Sequence, residues 1–421
     1  MQPPAETFAA RLSVGSDGTA GAGTCCAPAR AGEGRALAES VEESRLGADN
    51  GHSPRRAAAG DEGGTSGRGP GMYEFSEFKI AHHLDAVRSI LAGGNPPPIT
   101  FEIDPTNVCN HRCIWCIDGR FNREYPATLP MAVLERFLGE IAAAGVRSVV
   151  LKGGGEPLCH PDIDAILRCA RGEGLRTGII TNGQLLTEHA EAVKECCEWV
   201  RVSLDAAQGE THRRIHRPGA ADAFEHILAG IERLAPEVFL GLVFVTAAEN
   251  AGEMYEAAHL AKKLGARYIT FREVLRSPGA GEIEPGWIAT ARDAFRRAYA
   301  DLHDGIFRIF GSGGPRGEVH NPKPVPYDRC DGPRLVGILC ADAKLYPCCS
   351  LRFREDYCFG SIADASFREI WDGPRRREVL GRIEGKACRH VCPGLTTYLR
   401  YDHYNRLFQY LAAEAGHVEF V

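Results

Sequence analysis

Six short runs rich in β-branched and aromatic residues, each parted from the next by an amphipathic stretch, predict an α/β protein built from parallel strand–helix units. Two further observations sharpen this. Amphipathic stretches close on a glycine, as helix C-termini favour, and the polar and glycine-rich loops all follow strands, at one end of the units. Together they predict a partial (β/α)6 TIM-like barrel whose working face is the set of loops after the strands. A small cysteine-rich α+β appendage is expected at the C-terminus, and a disordered extension at the N-terminus.

Residues 1–71 are rich in Gly, Ala, Ser, Arg and Glu and poor in aromatic side chains, too little to offset chain entropy by burial, so disorder is expected. The stretch ends in GRGPGMYEF, which makes Met72 a candidate native start. Residues 72–94 read as a helical lead-in. The strands of the barrel, residues 95–276, are ITFEIDPTN (99–107), RSVVLKGGGEP (147–157), RTGIITNG (176–183), WVRVSLDA (199–206), VFLGLVFVTA (238–247) and RYITFREVL (267–275). Between them lie helical stretches such as MAVLERFLGEIAAAG and Met254 to Gly265. Residues 277–329 read as a linker with a helix from about Trp287 to Asp304 between SPGAGEIEPG and GSGGPRGEVHNPKPVP. LVGILCADAKLYPCC (335–349) alternates about Asp-Ala-Lys as a β-hairpin does, and one helix is expected over SFREIWDGPRRREVLGRIEG. Residues 330–421 are therefore expected to be an appendage rather than a continuation of the barrel.

Composition excludes several classes. The formal charge is −6, from 49 Lys and Arg against 55 Asp and Glu, with no basic run to grip nucleic acid. No stretch approaches the roughly 20 apolar residues of a membrane span, and no secretory signal opens the chain. A cytoplasmic protein is expected. There, sixteen cysteines read as metal ligands or small buried residues rather than disulfides.

The chemistry concentrates in CNHRCIWC, which follows the first strand. Cys109, Cys113 and Cys116 on one tight loop can all reach one metal centre, and soft sulfur ligands select zinc or iron-sulfur clusters. Three protein ligands leave one coordination position open, the mark of a catalytic site; a zinc knuckle closed by His111 or a distant cysteine is the structural alternative. GGGEP ends the second strand, TNG the third and SLDA the fourth, so four polar clusters converge on one end.

This loop resembles the signature of the radical S-adenosylmethionine (radical SAM) superfamily, in which CxxxCxxC holds a 4Fe-4S cluster whose fourth iron binds the methionine moiety. The resemblance implies that Trp115 lies near the adenine and that Gly153, Gly154, Gly155 and Glu156 contact the methionyl amine. Glycine's lack of a side chain is what lets main chain approach a ligand closely. It also implies cofactor contacts for Ser203 and Asp205, read alternatively as a strand end with a capping Asp, and for Asn182, read alternatively as a turn residue. The resemblance spans about residues 95–275.

The C-terminal cysteines resemble the twitch or SPASM appendage of the same superfamily, which holds an auxiliary iron-sulfur cluster. The ligands this implies are Cys330, Cys348, Cys388 and Cys392, with Cys349 the rival of Cys348 and zinc the alternative metal. The seven-cysteine SPASM pattern is not met, and Ala343 stands where the family usually has glycine, so one auxiliary cluster is expected rather than two. Cys340 and Cys358 read as packing residues, as do Cys159, Cys169, Cys196 and Cys197 within helical stretches. His111 is expected to be solvated or to support a ligand, and His82-His83 to lie on the surface.

The resemblance further implies reductive cleavage of S-adenosylmethionine to a 5'-deoxyadenosyl radical that abstracts hydrogen from the substrate, with a flavodoxin- or ferredoxin-type reductant. Lys152, Arg272 and Glu273, at strand ends, are candidate acids, bases or substrate clamps, or rim ion pairs. A small polyhydroxylated metabolite of the sugar or aminocyclitol type is the expected substrate. A peptide or protein side chain is the alternative, and a non-catalytic zinc or electron-carrier module the reading of another class.

Overall fold

The computed structural model describes residues 77–274, 286–311, 329–384 and 398–412. The N-terminal extension with Met72, residues 275–285 and 312–328, and Cys388 and Cys392 lie outside the described residues.

Helix α1 (Leu84–Leu91) leads into β1 (Thr100–Ile103), and α2 (Gly119–Glu124) and α3 (Met131–Ala144) precede β2 (Ser148–Leu151). The alternation continues through α4 (Ile163–Gly172), β3 (Arg176–Thr181), α5 (Ala190–Cys196) and β4 (Cys197–Ser203). Next come α6 (Gly209–His216), α7 (Ala223–Leu234), β5 (Phe239–Thr246), α8 (Met254–Lys263), β6 (Tyr268–Glu273), α9 (Gly286–Leu302) and β7 (Arg308–Gly311). The C-terminal part holds α10 (Gly332–Leu335), β8 (Val336–Leu339), β9 (Lys344–Tyr346), β10 (Gly360–Ser361), α11 (Phe367–Trp371), α12 (Pro374–Glu384) and α13 (Tyr398–Ala412).

All six expected strands form, and they lie side by side in chain order, β1 to β6, in parallel register. β5 is buried along nearly its whole length, as a strand covered on both faces must be. The helices turn one apolar stripe inward: α4 buries Ile163, Ile166, Leu167 and Ala170, spaced for a single helical face. The sheet stays open, ending on β10 at one edge and β7 at the other.

Three expectations are corrected. The C-terminal cysteine-bearing segment is no detached appendage: β8 pairs in parallel with β1, and β9 and β10 extend the same sheet antiparallel. Its physical cause is flush packing, since a β-carbon on Gly337 would lie 2.2 Å from the ring of its register partner Phe101. That ring in turn meets Phe367 and Trp371 edge-on, so barrel and C-terminal segment share one core. The linker contributes β7, which pairs with β6. The single helix expected over 366–385 is two, because Asp372-Gly373 ends α11 and Pro374 starts α12, where a missing N–H costs nothing. A smaller revision concerns Cys197, which opens β4 rather than ending a helix; it is buried, as is Cys196. α13 completes the fold by packing Phe408 against Ile80, Val87, Ile90 and Leu335.

Candidate active site

The loop that carries the three cysteines leaves the C-terminal end of β1 and is pinned from four directions. At its root, Gly155 and Glu156 donate their backbone N–H groups to the carbonyls of Thr106 (3.3 Å) and Val108 (2.9 Å). A β-carbon on Gly155 would lie 2.2 Å from the Val108 oxygen, so only glycine allows this approach. At its crest, Arg112 and Ile114 donate to the carbonyls of His216 (2.9 Å) and Ile215 (3.0 Å) at the end of α6. Asn182 donates its side-chain amide to Asn110 Oδ1 at 2.6 Å. Finally, Arg352 reaches from the C-terminal segment to Asp104 (3.2 Å) and to Asp118, two residues beyond Cys116.

Cys109 and Cys116 each keep an exposed edge, while Cys113 is half-buried. Crowding around the sulfur pushes the Cys109 thiol up to about 12 and raises Cys116 as well. Without a metal they hold their protons at neutral pH, so metal binding must displace them. Arg112, Cys113, Cys116, Arg123, Arg213 and Arg217 line a cavity of about 740 Å³ beside the loop. All four arginines are exposed, and they give an acidic protein a local basic mouth.

Behind the loop stand three buried histidines, with ring centroids 5.5 Å (His111–His212), 5.6 Å (His111–His216) and 4.6 Å (His212–His216) apart. Burial, then the His216 charge, lowers His111 to about 4 and His212 to about 3. Burial alone would lower His216 too, but hydrogen bonds to Asp205 and Cys113 outweigh it and raise the imidazole to about 10. Among the described residues, one group of possible ligand atoms converges within 4.8 Å: those of His111, Cys113 and His216. A single ion there would leave Cys109 and Cys116 outside. The three thiols therefore suit the corners of a multi-iron cluster better than one zinc ion.

The structure redefines several residues singled out from the sequence. Glu156 is buried, accepting from Leu158 N (3.1 Å), Thr181 Oγ1 (2.6 Å) and Asn182 N (2.6 Å), so its carboxylate ties β2's loop to β3's. Burial outweighs these three donors and raises it to about 7. Asp205 is likewise occupied: its carboxylate accepts from Val245 N (2.7 Å) and lies 3.3 Å from His216 Nε2. It caps no strand. His111 is not solvated but 5 % exposed. Lys152 pairs with Glu102 at 2.5 Å; burial pushes its ammonium down, but Glu102 together with Cys349 and Asp104 outweighs it and raises the group. Arg272 and Glu273 lie opposite Val245 and Thr246 at the end of β6. Trp115 and Ser203 are half-buried on the cysteine loop and at the end of β4. Gly153 and Gly154 stay in the loop root, where Asn122 donates to the Gly154 carbonyl.

In the C-terminal segment, Cys330 and Cys348 pack against the main core, whereas Cys349 packs with Cys340 and Cys358 against Tyr346. Asn405 of α13 donates to Cys330 Sγ at 3.4 Å. Arg352, Asp104, Asp118 and His216 were not foreseen. Each is an ordinary charged or polar residue in sequence, and Arg352 lies 248 residues from Asp104.

Residues 103–265 match the sequence profile of the radical SAM superfamily, and residues 330–393 that of SPASM, an iron-sulfur cluster-binding domain. The chain is a radical SAM protein with a C-terminal SPASM-type domain. The groups its sites are built for are therefore those of the superfamily: a 4Fe-4S cluster, S-adenosylmethionine and an auxiliary iron-sulfur cluster. It is similar to the AdoMet-dependent heme synthase of Methanosarcina barkeri, 29 % identical over 71 % of this chain and 90 % of that protein. It is also similar to the PqqA peptide cyclase of Gluconobacter oxydans, at 24 % over 66 % and 77 %. In fold it resembles the crystal structure of Streptococcus suis SuiB bound to S-adenosylmethionine, with a TM-score of 0.54, 17 % identity and 72 % of each chain covered. Among the described residues no helix is long and apolar enough to cross a membrane.

Proposed function

We propose that the chain is a radical SAM enzyme acting on a small substrate that carries carboxylate groups. Cys109, Cys113 and Cys116 hold the SAM-binding cluster; Cys330, Cys348, Cys388 and Cys392 hold the auxiliary one. When bound, the first cluster would supply one-electron reduction of S-adenosylmethionine and, through it, hydrogen-atom abstraction from the substrate.

The residues of this chain do the positioning. The loop gives three sulfurs and leaves a fourth coordination position open to the methionine moiety. Gly154 and Gly155 bring main chain close to it, Glu156 and Asn182 lock the neighbouring strand ends, and Trp115 and Ser203 border the cofactor. Lys152 serves as a half-buried ion-pair partner of Glu102, and Arg272 and Glu273 remain candidate substrate contacts. An external flavodoxin- or ferredoxin-type reductant delivers the electron. Twelve free cysteines among the described residues suit the reducing cytoplasm. The residues 95–276 and 330–421 are taken as the two functional domains, although they share a sheet.

The observation that carries the substrate class is the cavity with four guanidinium groups beside Cys113 and Cys116. A relative named as a heme synthase fits it, because hemes bear carboxylates. A neutral polyhydroxylated metabolite brings those four cations no carboxylate beyond the one S-adenosylmethionine itself carries, and a peptide substrate, as for the cyclase relative, must bring acidic residues to the same place.

The test is anaerobic reconstitution followed by measurement of 5'-deoxyadenosine under reductant, with tetrapyrrole carboxylates, neutral sugars and acidic peptides offered in turn. Carboxylated tetrapyrrole should stimulate release, and Arg213→Glu with Arg217→Glu should abolish that stimulation while leaving iron content intact. Stimulation by neutral sugars instead would refute the substrate class. A fall of the visible iron-sulfur absorbance to the auxiliary cluster's share in Cys109→Ala, Cys113→Ala and Cys116→Ala, but not in Cys196→Ala, tests the ligand assignment.

A further inference from the structure

His216 stands in an unusual relation to the cysteine loop. Its Nδ1 lies 3.2 Å from Cys113 Sγ, and its Nε2 lies 3.3 Å from Asp205 Oδ2. Both side chains are 3 % exposed. Asp205 cannot swing away, because its other carboxylate oxygen accepts from Val245 N at 2.7 Å and its carbonyl accepts from Asn250 at 2.8 Å. The imidazole cannot turn either, being stacked on His212 and set edge-on to His111. The His216 carbonyl also holds the loop, by accepting from Arg112 N.

We propose that His216, oriented by Asp205, is a positioning residue that donates a hydrogen bond from Nδ1 to the Cys113 sulfur and raises the reduction potential of the cluster bound there. The inference rests on the reading of Cys113 as a cluster ligand. A coordinated thiolate carries no proton, so the hydrogen between these two atoms belongs to the imidazole. Reduction adds negative charge to the cluster and its sulfurs, and a donor fixed at one sulfur stabilises that reduced form more than the oxidised one. A site shut away from water magnifies the effect. The chain thereby eases delivery of an electron from an external carrier, at a point no sequence motif marks.

Two variants of similar size separate hydrogen bonding from bulk. In His216→Asn the side-chain amide N–H falls near the position of Nδ1; in His216→Gln it is carried one carbon farther, away from Cys113. The full chain is reconstituted anaerobically, iron per chain is counted, and the EPR signal that responds to S-adenosylmethionine is followed at one fixed, dye-poised potential. Loss of a hydrogen bond to a charged group predicts a ratio of reduced to oxidised cluster about tenfold lower in His216→Gln. His216→Asn should stay within about twofold of the wild type on the same scale. Equal ratios in the wild type and His216→Gln overturn the proposal. If His216→Gln fails to hold iron, Asp205→Asn carries the test: its ratio should fall at least about twofold, and an unchanged ratio overturns the proposal. Absence of any S-adenosylmethionine-responsive signal in the wild type would instead sink the cluster reading beneath it.

Discussion

Replacing Gly155 by alanine puts the geometry of the cysteine loop to a direct test. The added β-carbon would lie 2.2 Å from the Val108 oxygen, 2.5 Å from the Asn107 carbonyl carbon and 2.8 Å from Asn107 Cα. Ordinary contact begins at 3.4 Å, so backbone must retreat by roughly an ångström. That backbone is held by Asn107 N to Ala127 O (3.0 Å), Val108 N to Thr106 Oγ1 (3.1 Å) and Glu156 N to Val108 O (2.9 Å). Overpacking of about 1–3 kcal/mol, with one buried hydrogen bond lost at about 1 kcal/mol, gives a cost of about 2–4 kcal/mol. Cys109, the next residue, moves with the strained segment. Gly154→Ala is the control, because its β-carbon would meet only side-chain atoms as nearest neighbours, Asn122 Oδ1 at 3.2 Å, Asn107 Cβ at 3.6 Å and Asp104 Oδ2 at 3.8 Å, and a side chain yields where backbone does not. The assay is iron and sulfide per chain after anaerobic reconstitution, with the thermal midpoint of the metal-free protein. Gly155→Ala should lose the share of iron that the cysteine loop holds, keeping that of the auxiliary cluster, and melt about 5 °C lower, while Gly154→Ala keeps both values near those of the wild type. The reasoning is refuted if Gly155→Ala loads iron normally, or if Gly154→Ala falls as far.

Two other outcomes are expected. Arg352→Met strands the buried carboxylate of Asp104 and the half-buried one of Asp118, and breaking a buried pair from one side costs about 3–5 kcal/mol; thermal denaturation should show a large loss, and a neutral result would mean those carboxylates find another partner. Burial raises Glu156 from 4.5 to about 7, so the native chain binds more protons than the unfolded chain in that window. Its contribution is therefore fully present below about pH 4.5 and is lost as pH rises through about 7, a change on the order of 3 kcal/mol. Melting measured at pH 5 and pH 7.5 should drop less in Glu156→Gln than in the wild type, and identical drops would show that Glu156 is not the group responsible.

What local pattern encodes was legible without coordinates. The six parallel strands follow from β-branched runs spaced by amphipathic stretches, and the cysteine loop from thiols close enough in sequence to share one centre. Gly145, with φ of 100°, ends α3 where its position alone placed a helix terminus. Partners distant in sequence carry no such mark. Only the tertiary structure brought β8 alongside β1, because the fit of Gly337 over the Phe101 ring depends on two strands more than 200 residues apart. It alone turned Glu156 and Asp205 inward, since a carboxylate's role is set by which donors the fold leads to it. It alone placed Arg352 beneath the cysteine loop and His216 against Cys113, by folding separate strand ends onto one face of the sheet, where polar groups must find each other once water is excluded.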